Sequence, residues 1–162
     1  AIGRMIYLVY RPACHQLPER SFFVFGPQLT YTLEELQALG VISETDDIFA
    51  RQRIFGALSA GYKMALCQRD MALYGSILLG GLIYGLLGKR LRPLPLLAFV
   101  ISLIPMAIDG GTQLILARES TPLLRLFTGG VVGLVAVWTL YPRLDVAFQD
   151  VRMQANERVH LE

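Results

Sequence analysis

A chain of 162 residues that is 54% hydrophobic and only 17% charged, with a mean hydropathy of +0.47, lies past the balance of an ordinary soluble domain and points to membrane. Its formal net charge of +2 is too small and too scattered for a nucleic-acid partner, which is excluded on that ground.

In chain order, "IGRMIYLVY" is too short to cross a bilayer. The chain opens at Ala1 without an initiator Met or a signal pattern, so residues 1–10 are predicted to be the end of an N-terminal transmembrane helix whose beginning precedes them. Residues 11–70 are too many for a simple loop and are expected to carry structure of their own. Thr32 stands three residues before Glu35, a capping-box pattern, and Gly40 is a helix stop. Beyond it, "SETDDIFARQRIFGALSAGYKMAL" has acids at its start and Ile48, Ile54, Phe55 and Leu58 at broadly helical spacing. That spacing predicts a second small amphipathic helix rather than strands, and hence a helical extramembrane cap. Asp47, Arg51 and Arg53 read as its solvated face.

The long uncharged runs come next. Residues 71–88 carry no charge, and about 18 residues at a rise of ~1.5 Å nearly match the ~30 Å hydrocarbon core. A second span is predicted over 94–117, interrupted by Pro105 and Asp109, and a third over 122–141, with Pro122 in its first turn and Trp138 and Tyr141 at an interface. Residues 142–162 read as a polar tail. The fold class is therefore all-α: a polytopic membrane bundle of three complete helices plus the end of a fourth. Small residues four apart (Ala72, Ser76 and Gly80; Gly81 and Gly85; Gly129 and Gly133) predict close helix approach in lipid. Lys89, Arg90 and Arg92, with Arg143, Arg152 and Arg158 of the tail, place the 89–93 loop and the tail in the cytoplasm by the positive-inside rule. The cap over 11–70 is then outside.

Two polar groups stand out. Cys14, His15, Cys67 and Asp70 are the residue types of a tetrahedral zinc site, and Asp70 lies one helical turn beyond Cys67. A disulfide between Cys14 and Cys67 competes with that reading in an oxidising compartment, closing a loop worth about 4 kcal/mol in the chain-entropy picture. Unpaired thiols are the third alternative, and His15 is a proton carrier by type. The second group is Asp109, Gln113, Glu119 and Arg125. Asp109 and Gln113 share a helix face, and an acid about 12 Å inside the span must face the bundle interior and find a partner, for which Arg125 is at a compatible depth. A structural ion pair that fixes helix register competes there with a proton, ion or substrate site. Ser120 or Thr121 is expected to cap the helix begun by Pro122, and one polar pocket at the outer leaflet would unite the two groups.

With "CHQLPERSFFVFG", "GYKMALCQRDMALYG" and "IDGGTQLILARESTPLLRLFTGG", the chain resembles, from about residue 7 to residue 135, a family of small predicted membrane proteins designated domain of unknown function twenty eighty-five. The resemblance implies a four-helix membrane protein without an assigned activity. Many members carry a second cysteine where this chain has Asp70, which argues against a three-thiolate or CxxC redox site here.

Three functions follow. The first is a membrane module whose polar site binds a metal, an ion or a small ligand. The second is a noncatalytic accessory subunit of a larger respiratory or photosynthetic electron-transfer complex, with the bilayer and other membrane subunits as partners. The third is a thiol-dependent membrane enzyme, which is disfavoured because the chain has no CxxC, HExxH or GxSxG. Zinc is the cofactor that the side chains suggest, while a bound lipid, pigment or quinone would leave no local signature.

Overall fold

Residues 2–11, 14–87, 91–115 and 119–160 are described in a computed structural model of the protein. They form two units, Ala1–Met71 with Thr121–Leu123, and Ala72–Ser120 with Leu124–Glu162.

The N-terminal unit is mixed. Helix α1 (Ile2–Tyr10) leads to a 3-10 turn at Pro18–Arg20, strand β1 (Ser21–Val24), α2 (Leu33–Ala38), α3 (Ile48–Gln52), β2 (Gly56–Ala57) and β3 (Gly61–Cys67). The strands make an antiparallel sheet in the order β1-β3-β2, which corrects the expectation of an all-helical cap. Helical spacing after Ile48 lasts only through α3. Beyond it Gly56 and Gly61 take φ of +138° and +86°, and a Cβ on Gly61 would lie 2.5 Å from the Val24 carbonyl oxygen. The chain must therefore turn back as a hairpin, pairing Gly56 with Tyr62 and Ala57 with Gly61, instead of continuing as helix.

The capping box forms as read. Glu35 N–H donates to Thr32 Oγ1 at 3.2 Å and Thr32 N–H to Glu35 Oε2 at 2.7 Å, and Gly40 ends the turn at φ +67°. Phe23, Tyr31, Leu36, Ile42 and Ala60 make the buried core, each large apolar member contributing about 1.5–3 kcal/mol by leaving water. The Phe23 and Tyr31 rings meet edge-on at 5.0 Å. Arg51 does more than face solvent: it pairs with the buried Glu19 at 2.9 Å. Ser21 is opposite Cys67 and Phe23 opposite Lys63, with an irregularity between them, and this register puts the end of β3 beside the start of β1.

The helical unit holds α4 (Gln68–Leu87, whose first turn belongs to the N-terminal unit), α5 (Leu96–Ile115) and α6 (Pro122–His160). Each contains a stretch long and apolar enough to cross a membrane. They expose Leu78, Leu82 and Leu86 on α4 and Leu97, Ile101, Ile104 and Ile108 on α5, faces that suit acyl chains and not water. Residues 88–90 and 116–118, including Lys89, Arg90 and the expected end of the second span, lie outside the described residues.

Residues 142–160 of the polar tail continue α6, which runs unbroken through Pro142 for 39 residues, about 58 Å and twice the hydrocarbon thickness. Pro142 has no N–H to give to the Trp138 carbonyl four residues back. That carbonyl accepts from Leu94 N–H at 3.3 Å instead, while Trp138 Nε1 donates to the Arg92 carbonyl at 3.0 Å. Helices α4 and α6 run parallel along a seam of small residues. Gly133 meets Leu73 and Ser76, Gly80 meets Leu134 and Val137, and Gly81 meets Tyr141. Farther along, Tyr84 OH donates to Asp145 Oδ2 at 2.7 Å.

Candidate functional site

In the N-terminal unit, the chain leaving α1 is tied back by Cys14 N–H donating to the Tyr10 carbonyl at 3.0 Å. Gln16 then takes φ of +51°, an uncommon conformation for a residue with a Cβ. Three hydrogen bonds hold it there. Its N–H donates to Cys14 Sγ at 3.4 Å, its Nε2 donates to the Tyr7 carbonyl at 2.8 Å, and its carbonyl accepts from Lys63 Nζ at 2.6 Å. The inverted backbone buries Cys14 and leaves His15 exposed.

Cys67 comes from the other direction, as the last residue of β3, and Asp70 follows in the first turn of α4. Their spacing of three brings them together, and Cys67 Sγ donates to Asp70 Oδ2 at 3.1 Å. The ligand atoms of Cys14, Cys67 and Asp70 all lie within 4.8 Å of one another. His15 stands outside this group. The disulfide alternative is not formed: both cysteines are free, with Cys67 engaged by Asp70 and Cys14 by the Gln16 amide.

The two thiols titrate as a pair. Hydrogen bonding from Cys67 lowers the pKa of Cys14 against the opposing effect of burial, and the Gln16 amide adds to the lowering. Bonding to Cys14, together with burial, raises Cys67. The first proton therefore leaves Cys14, and Cys67 holds the second. Lys63 is a further buried charge that was not legible in the sequence. Its Nζ also donates to the Gln52 carbonyl at 3.3 Å and sits 5.5 Å from the Tyr7 ring centroid. Burial pushes its pKa down to about 8, opposed by the charges of Glu19 and Cys14.

In the helical unit, Asp109 and Gln113 are buried on one face of α5, 4% and 5% exposed. Asp109 Oδ2 accepts from Gln113 Nε2 at 2.8 Å and from Ser120 Oγ at 3.0 Å. Ser120 thus serves the acid. Arg125 is buried at 3% exposure on α6, and Thr128, which sequence reasoning passed over, donates to the Leu124 carbonyl at 2.9 Å. Glu119 and Tyr74 are exposed.

Residues 53–139 match the profile of a family described as predicted membrane protein (DUF2085). The chain belongs to this family. An uncharacterised protein of Methanocaldococcus jannaschii is 34% identical over 144 residues, which cover 87% of this chain and 69% of that protein. No solved structure matches. The DUF2085 match agrees with the resemblance read from the three motifs and with the three apolar helices of a multi-pass membrane protein. It spans Cys67, Asp70, Asp109, Gln113, Glu119 and Arg125, and begins after Cys14 and His15.

Proposed function

We propose that this membrane protein holds a thiophilic divalent metal ion, zinc above all, on Cys14, Cys67 and Asp70. The observation that carries the reading is the convergence of two sulfurs and a carboxylate oxygen within 4.8 Å. Around a tetrahedral zinc, with Zn–S near 2.3 Å and Zn–O near 2.0 Å, such atoms stand about 3.5–3.8 Å apart. Sub-ångström adjustments of side chains suffice to reach that spacing. Two thiolates favour zinc over magnesium or calcium, and the downward shift at Cys14 eases loss of the first thiol proton. Zinc would take the place of the Cys67 proton. Cys14, Cys67 and Asp70 would leave a fourth position for water or an exogenous ligand, the arrangement of an open site, and a zinc held there would supply Lewis acidity.

In this reading Asp109, Gln113 and Ser120 fix the end of α5 in lipid. The cap faces outward, with the Arg92 connection and the later part of α6 on the cytoplasmic side, in keeping with Arg92, Arg143 and Arg152. The test is zinc stoichiometry of the purified full chain after metal loading and desalting. One zinc per chain is expected, with loss in Cys14→Ser and Cys67→Ser and weakening in Asp70→Asn. A wild-type chain that retains no zinc, or the same content in all three variants, overturns the proposal.

A further inference from the structure

A second site lies elsewhere in the N-terminal unit. Arg4, Tyr7 and Arg11 fall three and four residues apart, on one side of α1 and the turn after it, and Arg53 closes the end of α3. All three arginines line one cavity of about 170 Å³, together with Tyr7, Gln16 and Gln52. No carboxylate lines it, and none of the three arginines is paired with an acid among the described residues. Three like charges around one small cleft repel one another, and a bound anion reverses the sign of that interaction.

The cleft is preformed. Tyr7 and Phe55, both lining it, meet edge-on at 4.7 Å, Tyr7 OH donates to the Lys63 carbonyl, and the buried Gln16 side chain is bonded to the Tyr7 carbonyl. Behind this wall lies a fourth cation: Lys63, 3% exposed, donates to the carbonyls of both Gln16 and Gln52. Glu19, whose charge acts on Lys63, is paired with Arg51.

We propose that this cleft binds a phosphate-class oxyanion, gripped by the guanidinium groups of Arg4, Arg11 and Arg53. Guanidinium forks match the geometry of phosphate oxygens in a way that a point charge does not. Leu8 lines the same cleft, and with Met5, Ile6 and Val9 it leaves α1 with an exposed apolar surface. A phosphate carried on acyl chains and a free phosphate present the same oxygens to the arginines, and only the first would also use that surface.

The experiment uses the full chain purified in uncharged detergent. It is titrated with inorganic phosphate, with short-chain phosphatidylglycerol and with sodium chloride at matched ionic strength, and binding is read calorimetrically. Saturable binding of phosphatidylglycerol or phosphate, but not of chloride, is expected. Binding of the lipid alone assigns the anion to a headgroup, and equal binding of phosphate assigns it to a free anion. The triple variant Arg4→Gln, Arg11→Gln, Arg53→Gln should bind at least about tenfold more weakly. If that variant does not fold, Arg53→Gln against Arg53→Lys serves instead, with the lysine retaining more affinity than the glutamine. Failure of both probes to bind, or unchanged affinity in the variants, overturns the proposal. Neither result bears on the metal site, whose ligands lie outside this cleft.

Discussion

Replacement of Gly133 by alanine tests the seam between α4 and α6. A Cβ there would stand 2.0 Å from Ser76 Oγ and 2.5 Å from the Leu73 carbonyl oxygen. The serine can rotate away, but it then gives up its 2.9 Å bond to that same carbonyl, worth about 1 kcal/mol. The Leu73 oxygen is backbone and cannot rotate, so the helices must part by roughly 1 Å to restore ordinary contact. Overpacking of this kind costs about 1–3 kcal/mol, offset by about 1 kcal/mol from the better helix propensity of alanine. The net expectation is a loss of about 1–3 kcal/mol. Gly130, on the same helix, would meet nothing within 4 Å, and its replacement by alanine should be neutral or slightly stabilising. Reversible unfolding of the two full-length variants in mixed micelles measures the difference directly. Equal stabilities would refute the seam as described.

Two predictions concern titration. Lys63 goes from a pKa of 10.5 when unfolded to about 8 when folded, so between those values the unfolded chain binds more protons and stability rises with pH. The rise is about 3 kcal/mol in total and vanishes below about pH 8, where both states are protonated. Lys63→Met should remove this component from the pH dependence of unfolding, and an identical slope in both proteins contradicts it. Zinc affinity should fall as pH drops, about tenfold per unit for each thiol proton displaced. A pH-independent affinity in competition with a chelator would show that thiolates are not the ligands.

The membrane architecture was legible because lipid imposes its demand on every residue of a span. Long, mostly apolar stretches ahead of Lys89, after Pro93 and after Pro122 can be read without knowing their neighbours. That the polar tail continues the third helix was not legible, because a helix passes Pro142 only where another group, here Leu94 N–H, takes up the released Trp138 carbonyl. The sheet was missed for a related reason. Ile48 to Leu58 has helical spacing, but the positive φ of Gly56 and Gly61 and their close backbone neighbours decide the conformation. At the candidate site, Cys67 and Asp70 were legible as neighbours because a residue just ahead of a helix and the third residue of its first turn come together, although Cys67 itself ends a strand and not a helix. The turn at Gln16 that separates Cys14 from His15 was not, since nothing in "CHQ" marks a left-handed residue. Lys63 became recognisable as an interior charge only once β3 gave it an inward position.

The central claim is that two sulfurs and one carboxylate oxygen grip a single ion. X-ray absorption at the zinc edge of the loaded full chain tests it most directly. The account predicts two sulfur neighbours near 2.3 Å with oxygen near 2.0 Å, and one sulfur fewer in Cys14→Ser. A shell of oxygen and nitrogen alone would contradict it.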